Sequence, residues 1–288
     1  MRRVRRTCCP AKRGNAAMHW VLQTSFDREP DHREASCREP SCREPGLEAI
    51  ARALQRSGTP YSEHAIDPAN GQLAPDITPA GKVIIFGSFE LAEIAARKGW
   101  RPGCFAVDHW SIHDCLWHWR PHMLNSDASF ATFAAAQPAI DPFFIKPAAH
   151  KKYFDGVVMR RSALDDWRRS LLGRERPRRA RLTEKTEVLW CSPKEIACEV
   201  RLWIVRGRVA TASAYGDGAG QLCQAAGDEA VRFGEEMAAR WAPAEAYVLD
   251  VCLSAGAWKI VEINPMNTAA LYDADAGKLV AAIERAFG

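Results

Sequence analysis

Two apolar stretches near the C-terminus, AYVLDVCL and WKIVEINP, are separated by only Ser-Ala-Gly-Ala. So short a connection between two β-type segments reads as an antiparallel hairpin. Each stretch is interrupted by residues that a buried strand ordinarily excludes, Asp250 in the first and Glu262 with Asn264 in the second. Side chains on a strand alternate faces, so Glu262 and Asn264 project to the same side, roughly 6 to 7 Å apart. A register that sets Asp250 opposite Glu262 requires an odd-numbered loop, such as Ala255-Gly256-Ala257 with Ser254 paired to Trp258. Two carboxylates and an amide oxygen then converge, and like charges so placed need a cation between them. Hard oxygen donors without thiolate or imidazole favour Mg²⁺. The competing reading is a strand-end Glu262 and a turn-forming Asn264-Pro265.

Cationic residues punctuate other apolar strands. Lys146 is the polar residue of FFIKP, where the ordinary explanation is a strand-end lysine reaching to water. Lys151 and Lys152 stand in the following loop, suited to folding over an anion or simply to solvation. Glu199 and Arg201 share a face of ACEVRLW. A half-buried Arg supplies a fixed fork of donors matched to phosphate or carboxylate, with a structural ion pair as the alternative. Cations at 146, 151 or 152 and 201, with oxygen donors at 250, 262 and 264, would together hold a nucleoside triphosphate and magnesium.

With 47% hydrophobic residues in 288, the chain can bury a core in one large domain or two smaller ones. It has no apolar run long enough for a membrane helix and no signal-type segment, so a cytoplasmic protein is expected. The formal charge of +4 misleads: residues 1–17 carry +6, leaving −2 on residues 18–288. Nucleic-acid binding by the folded body thus gains nothing from net charge, although residues 160–185 hold ten Lys or Arg against four Asp or Glu. Cys104, Cys115, Cys191, Cys198, Cys223 and Cys252 are scattered through periodic segments and are expected as free thiols.

Residues 1–17 read as a disordered basic arm or as residues preceding a true start at Met18. MHWVLQTSF is a first strand, and the Arg-Glu repeat over 27–45 reads as a flexible insert. Leu47, Ile50, Ala51 and Leu54 make one helical stripe, YSEHAI a strand, 68–75 a loop, and GKVIIFGSF followed by ELAEIAARKGW a strand and helix, together an α/β layer. The aromatic region 104–140 has no clean period and is expected to pack a domain junction. From about 126 the pattern changes to hairpins, which predicts an N-terminal α/β domain over 18–125 and a second, α+β domain over 126–288.

FFIKP, KKYFDG, CEVRLWIV, YVLDVCL and VEINPMNTAALYDAD together resemble the ATP-grasp superfamily, in particular its small bacterial and phage members of the R2K type. The resemblance runs from about Trp20 to the end, apart from the insert. It implies an ATP-grasp fold behind a pre-ATP-grasp α/β domain, and an ATP- and Mg²⁺-dependent ligase joining a small carboxylate to an amine, amino acids or peptides among them. Position by position, it implies Lys146 near adenine and the α-phosphate and Lys151 or Lys152 over the phosphates. It implies the stretch from Glu187 through Trp190 and Cys191 along adenine, Glu199 orienting Arg201 or touching nucleotide, and Arg201 facing phosphate. Asp250, Glu262 and Asn264 become the magnesium ligands, with Asn267 reaching the metal or acceptor. Lys146 and Arg201 would be the catalytic cations. Where many superfamily members carry a glycine-rich loop, this chain has AAHKKYFDG, so phosphate binding would rest on lysine charge more than on a backbone nest. A nucleic-acid-binding module and a catalytically inactive nucleotide-binding protein are the rival classes.

Overall fold

The computed structural model describes residues 18–24, 45–107, 110–149, 153–173, 182–215 and 227–288. The expected basic arm, the insert up to residue 44, Lys151, Lys152, Cys223 and residues 174–181 of the basic stretch lie outside them.

The N-terminal half is a five-stranded sheet in the order β3-β2-β1-β4-β5. Its strands are β1 (His19–Gln23), β2 (Tyr61–Asp67), β3 (Gln72–Ala74), β4 (Val83–Phe86) and β5 (Pro102–Gly103). β1 runs parallel to β2 and β4, and β4 to β5. The segment 68–75, expected as a loop, contains the edge strand β3. Asn70-Gly71 turns the chain back so that Asp67 faces Gln72 and Ala65 faces Ala74, a pairing too short for three residues to announce. Helix α1 (Pro45–Ser57) buries the expected stripe, with Ile50 and Leu54 fully enclosed; each such side chain contributes roughly 1.5–3 kcal/mol. Helix α2 (Phe89–Arg97) starts at Ser88, whose hydroxyl accepts from the Leu91 N–H, and buries Leu91 and Ile94 on the opposite sheet face.

The remainder is built on two antiparallel four-stranded sheets. One has the order β6-β9-β7-β8, from β6 (Ser129–Thr132), β7 (Phe143–Pro147), β8 (Val157–Met159) and β9 (Glu187–Cys191). Helix α4 (Leu164–Leu172) closes its core over Phe133, Phe143, Ile145 and Val188. The other has the order β11-β10-β12-β13, from β10 (Cys198–Val205), β11 (Arg208–Tyr215), β12 (Ala246–Ser254) and β13 (Ala257–Pro265). One face of it packs Val200, Leu202, Tyr247 and Leu249 with helices α3 (Ile112–Trp119) and α5 (Gly227–Arg240). On the other, Trp203, Val205 and Val248 join α1, β1 and the last helix α6 (Ala276–Phe287) in a single core.

Helix α3 has no clear period in the sequence, yet a capping box between Ser111 and Asp114 starts it. The aromatics here pack, as expected, rather than present a stacking surface: Trp110 and Trp119 both meet Trp241 of the segment after α5, at 4.8 and 4.7 Å. Trp117, 85% exposed, is the exception. Cys104, Cys115, Cys191 and Cys252 are thiols outside any disulfide, as expected. Cys198 departs from expectation in being disulfide-bonded, because spacing along the chain does not say which cysteines the fold brings together.

A polar chain crosses β1 and β2. His64 Nδ1 lies 2.6 Å from the Pro75 carbonyl, which can only accept, so His64 Nε2, 2.7 Å from Ser62 Oγ, accepts from that hydroxyl. The same oxygen then accepts from His19 Nε2 at 2.8 Å. Burial, and then the neighbouring His64, lower the pKa of His19. A histidine depressed on folding contributes stability that is present above its unfolded pKa of about 6.5 and lost as pH falls through the folded value. The denaturation midpoint should therefore drop between about pH 7.5 and 5, and His19→Gln should flatten part of that slope. His122, also lowered chiefly by burial, carries a further part. An unchanged slope in His19→Gln, followed by circular dichroism, would refute the role of His19.

Candidate active site

The β12–β13 hairpin turns through only Ala255 and Gly256, at φ of 49° and 74°, with Ser254 paired to Ala257. This corrects the expected odd-numbered loop: a two-residue turn with both central φ angles positive matches the strand twist. Carried unbroken along the ladder, this register would set Asp250 against Val261. A β-bulge intervenes instead. Val251 pairs with Ile260 and Asp250 with Glu262, leaving Val261 as the extra residue. The bulge returns Glu262 to the face of Asp250, the kind of re-aiming that bulges supply beside functional sites.

The same register aligns one polar residue from every strand of the sheet: Ser213 opposite Arg201, Arg201 opposite Asp250, and Asp250 opposite Glu262. Arg201 grips Asp250 with both prongs, Nε to Oδ1 and Nη2 to Oδ2, each at 2.8 Å. The Asp250 side chain is 0% exposed and that of Arg201 10%. Burial pushes the Asp250 carboxyl above its ordinary range, Arg201 and Asn264 pull it down, and Glu262 pushes it up. Asn264 Nδ2 donates to Asp250 Oδ2 at 3.0 Å and to Glu262 Oε1 at 3.2 Å, so one carboxamide bridges both acids. Beyond Glu262, Lys146 Nζ stands 3.7 Å from Oε2. Along the series Arg201, Asp250, Glu262, Lys146, two adjacent acids are flanked by a cation at each end.

A cavity of about 250 Å³ lies between the two antiparallel sheets. Lys146, Pro147 and Ala148, then Phe154, Asp155 and Gly156, line one side, and Ile260, Glu262 and Asn264 the other. Ile112, Cys115 and Met123 add apolar wall. Arg201 and Asp250 are not in this wall; they form a buried rank behind it. Gly156 has no room for a side chain, since a Cβ there would meet the Phe144 ring at 2.5 Å.

The other expected residues are more dispersed. Glu187 is exposed with its carboxylate 3.1 Å from His113 Nε2, and its main-chain carbonyl accepts from the Ala148 N–H. Cys191 is buried and donates to Asn125 Oδ1, whereas Trp190 packs against the α4-side core. The main chain of β9 is paired on both edges, to β6 and β7. Glu199 sits one row from the charged series, opposite Cys252 and Tyr215. Lys151 and Lys152 fall outside the described residues. Asn267 needs correction: its carboxamide accepts from the Phe105 N–H and donates to the Ile85 and Gly103 carbonyls, which leaves it tying the chain after β13 to the ends of β4 and β5 instead of reaching a metal or acceptor. Its side chain is fully buried, and the stretch Asn264-Pro265-Met266-Asn267 carries no sequence sign of that task. Ile112, Cys115 and Gly156 were not anticipated, since nothing local marks them. Of the basic stretch, Arg168 and Arg169 pair with Asp165 and Asp166.

A family model described as "ATP-grasp domain, R2K clade family 3" matches residues 41–283. The chain belongs to this family. The fold agrees with solved ATP-grasp structures. A RimK domain ATP-grasp protein from Sphaerobacter thermophilus is 16% identical with TM-score 0.53, covering 92% of this chain and 99% of that one. D-alanine–D-alanine ligase from Bacillus anthracis complexed with ATP is 11% identical with TM-score 0.57, covering 94% and 97%. The D-cycloserine synthetase DcsG is 14% identical with TM-score 0.50, covering 93% and 99%. No curated protein matches in sequence. In this ATP-grasp chain no helix among the described residues is long and apolar enough to cross a membrane.

Breaking a buried ion pair strands one charge, at a cost of about 3–5 kcal/mol, whereas replacing both partners with apolar groups costs less. Asp250→Ala should lose that much in urea denaturation, and the double change Arg201→Met with Asp250→Leu should recover a substantial part.

Proposed function

We propose that the protein is an ADP-forming ligase that joins a small carboxylate to an amine, amino acids or peptides being the first candidates. ATP-grasp membership supports ATP-dependent, acylphosphate-forming chemistry in general terms. The observation that carries the finer reading is the meeting of Lys146, Glu262 and Asn264 across one cavity, backed by the Arg201–Asp250 pair. The cavity also offers apolar wall at Ile112, Met123 and Ile260 for a nucleobase beside polar groups for phosphate.

Two of the three expected donors fit magnesium: Glu262 and Asn264 border the cavity, and a half-turn of the Asn264 amide presents an oxygen in place of Nδ2. Asp250, fully buried with both oxygens held by Arg201, stands behind them and would act on the ion through Asn264. Among the described residues no group of three or more His, Cys, Asp or Glu could hold a metal; one acid and an amide suit an ion that takes its other ligands from phosphate and water. When bound, Mg²⁺ would neutralise phosphate charge.

Lys146 would hold the nucleotide's phosphates and Arg201 would supply fixed positive charge toward the transferring group. A substrate carboxylate oxygen bonds to the γ-phosphorus as the bond to the bridging oxygen breaks, releasing ADP and an acylphosphate. The amine attacks the acyl carbon and inorganic phosphate leaves. No enzyme nucleophile is required, and burial pushes the Cys115 thiol in the cavity wall up to about 12, keeping it protonated. The α/β half over 18–125 would shape the acceptor pockets, with 126–288 as the ATP-grasp domain.

A screen of amino acids and small peptides for ATP-dependent ADP release, with product mass measured, tests this reading. One acceptor pair should give ADP and a product lighter than the sum of its parts by one water. Lys146→Ala should cut kcat/KM about 10²-fold, and Glu262→Ala should raise the Mg²⁺ concentration needed. Nucleotide binding indifferent to both changes would sink the assignment.

A further inference from the structure

After β13 the chain passes back across the charged face of its sheet. Arg201 Nη1 donates to the Ala270 carbonyl at 3.1 Å. The Asp273 N–H donates to Ser213 Oγ at 3.2 Å, and the Asp275 N–H to Thr211 Oγ1 at 2.9 Å. Between these anchors the Ala274 N–H closes a turn onto the Leu271 carbonyl. The second residue of that turn is Tyr272, at φ +50°. Turns with positive φ at this position ordinarily use glycine, and a bulky side chain there is an outlier. The Tyr272 ring lies with its centroid 5.0 Å from the Arg201 guanidinium carbon, yet stays 48% exposed. Burial of the ring is therefore a poor reason for the strained backbone, and strain of this kind gathers where a side chain must be held in place.

We propose that Tyr272 is a positioning residue for Arg201. Asp250 fixes the guanidinium through its nitrogens, and the aromatic face of Tyr272 fixes it from the side by a cation–π contact. Together with the Ala270 carbonyl they restrict the one cation of the buried rank to a single orientation, so that its charge is in place before the transferring group develops its own. The proposal rests on the ligase reading for its catalytic consequence, but the contact itself is independent of that reading.

Three proteins distinguish the outcomes: wild type, Tyr272→Phe and Tyr272→Gly. Glycine suits φ +50°, so Tyr272→Gly should keep a thermal midpoint at or above that of wild type while removing the ring. Its kcat for ADP release should fall about tenfold with KM for ATP little changed, and Tyr272→Phe should retain wild-type turnover. The slowly exchanging Arg201 Nε–H signal in NMR spectra, assigned by its loss in Arg201→Lys, should persist in Tyr272→Phe and broaden or shift in Tyr272→Gly. An unaltered Nε–H signal together with unaltered kcat in Tyr272→Gly overturns the proposal. So does a lowered midpoint with proportionate loss in every measure, which would make the ring mere packing. If the wild type releases no ADP with any acceptor, the ligase reading falls, and the Nε–H comparison alone decides whether Tyr272 holds Arg201.

Discussion

The buried fork between Arg201 and Asp250 is the contact on which the rest of the site depends. Neither charge could stay in the sheet interior alone, since an unpaired ion there costs several kcal/mol. Two parallel hydrogen bonds at 2.8 Å, with Asn264 on one of the same carboxylate oxygens, satisfy the acid. The fork also specifies position: Arg201 and Asp250 are direct neighbours across β10 and β12, so a slip of either strand by one residue would break it. Everything that Asp250 then touches inherits that placement. Asn264 and Glu262 are set against Asp250, and Lys146 against Glu262.

This produces two ranks of charge with different exposure. The rear rank, Arg201 and Asp250, is enclosed, its two charges held against each other. The front rank, Lys146 and Glu262, borders the cavity, with side chains 17% and 39% exposed. Front-rank groups at 3.7 Å form a loose pair that a ligand can separate at small cost, because partly exposed ion pairs contribute little. The rear pair is not so easily separated. A charged ligand therefore meets adaptable groups first and fixed ones behind them. Gly156, the glycine of AAHKKYFDG, serves close packing against the Phe144 ring, beside the Lys146 Cβ.

The hairpin ladder of the second half was legible in the sequence because its signals are local: apolar runs of strand length, Gly and Pro at turns, and single polar residues at alternate positions. The parallel N-terminal layer was legible for the same reason. What escaped was non-local or brief. β3 has three residues, α3 has eight and mixes Trp with His, and the disulfide at Cys198 depends on spatial neighbours. Asn267 illustrates the limit most clearly, for its three side-chain partners lie on segments more than 160 residues away.

The order of strand and helix types, and the set of polar residues lodged in apolar strands at 146, 201, 250, 262 and 264, follow from the chain alone, because periodicity and hydrophobicity are properties of neighbours in sequence. Their mutual geometry does not. An even hairpin turn argued against Asp250 facing Glu262, and only a bulge at Val261 restored the pairing; bulges arise from how a whole sheet twists and packs, which no short stretch records. The joining of Arg201 to Asp250, and the covering of Arg201 by Tyr272, were likewise decided in three dimensions, by which strands became neighbours and where the returning chain was pinned.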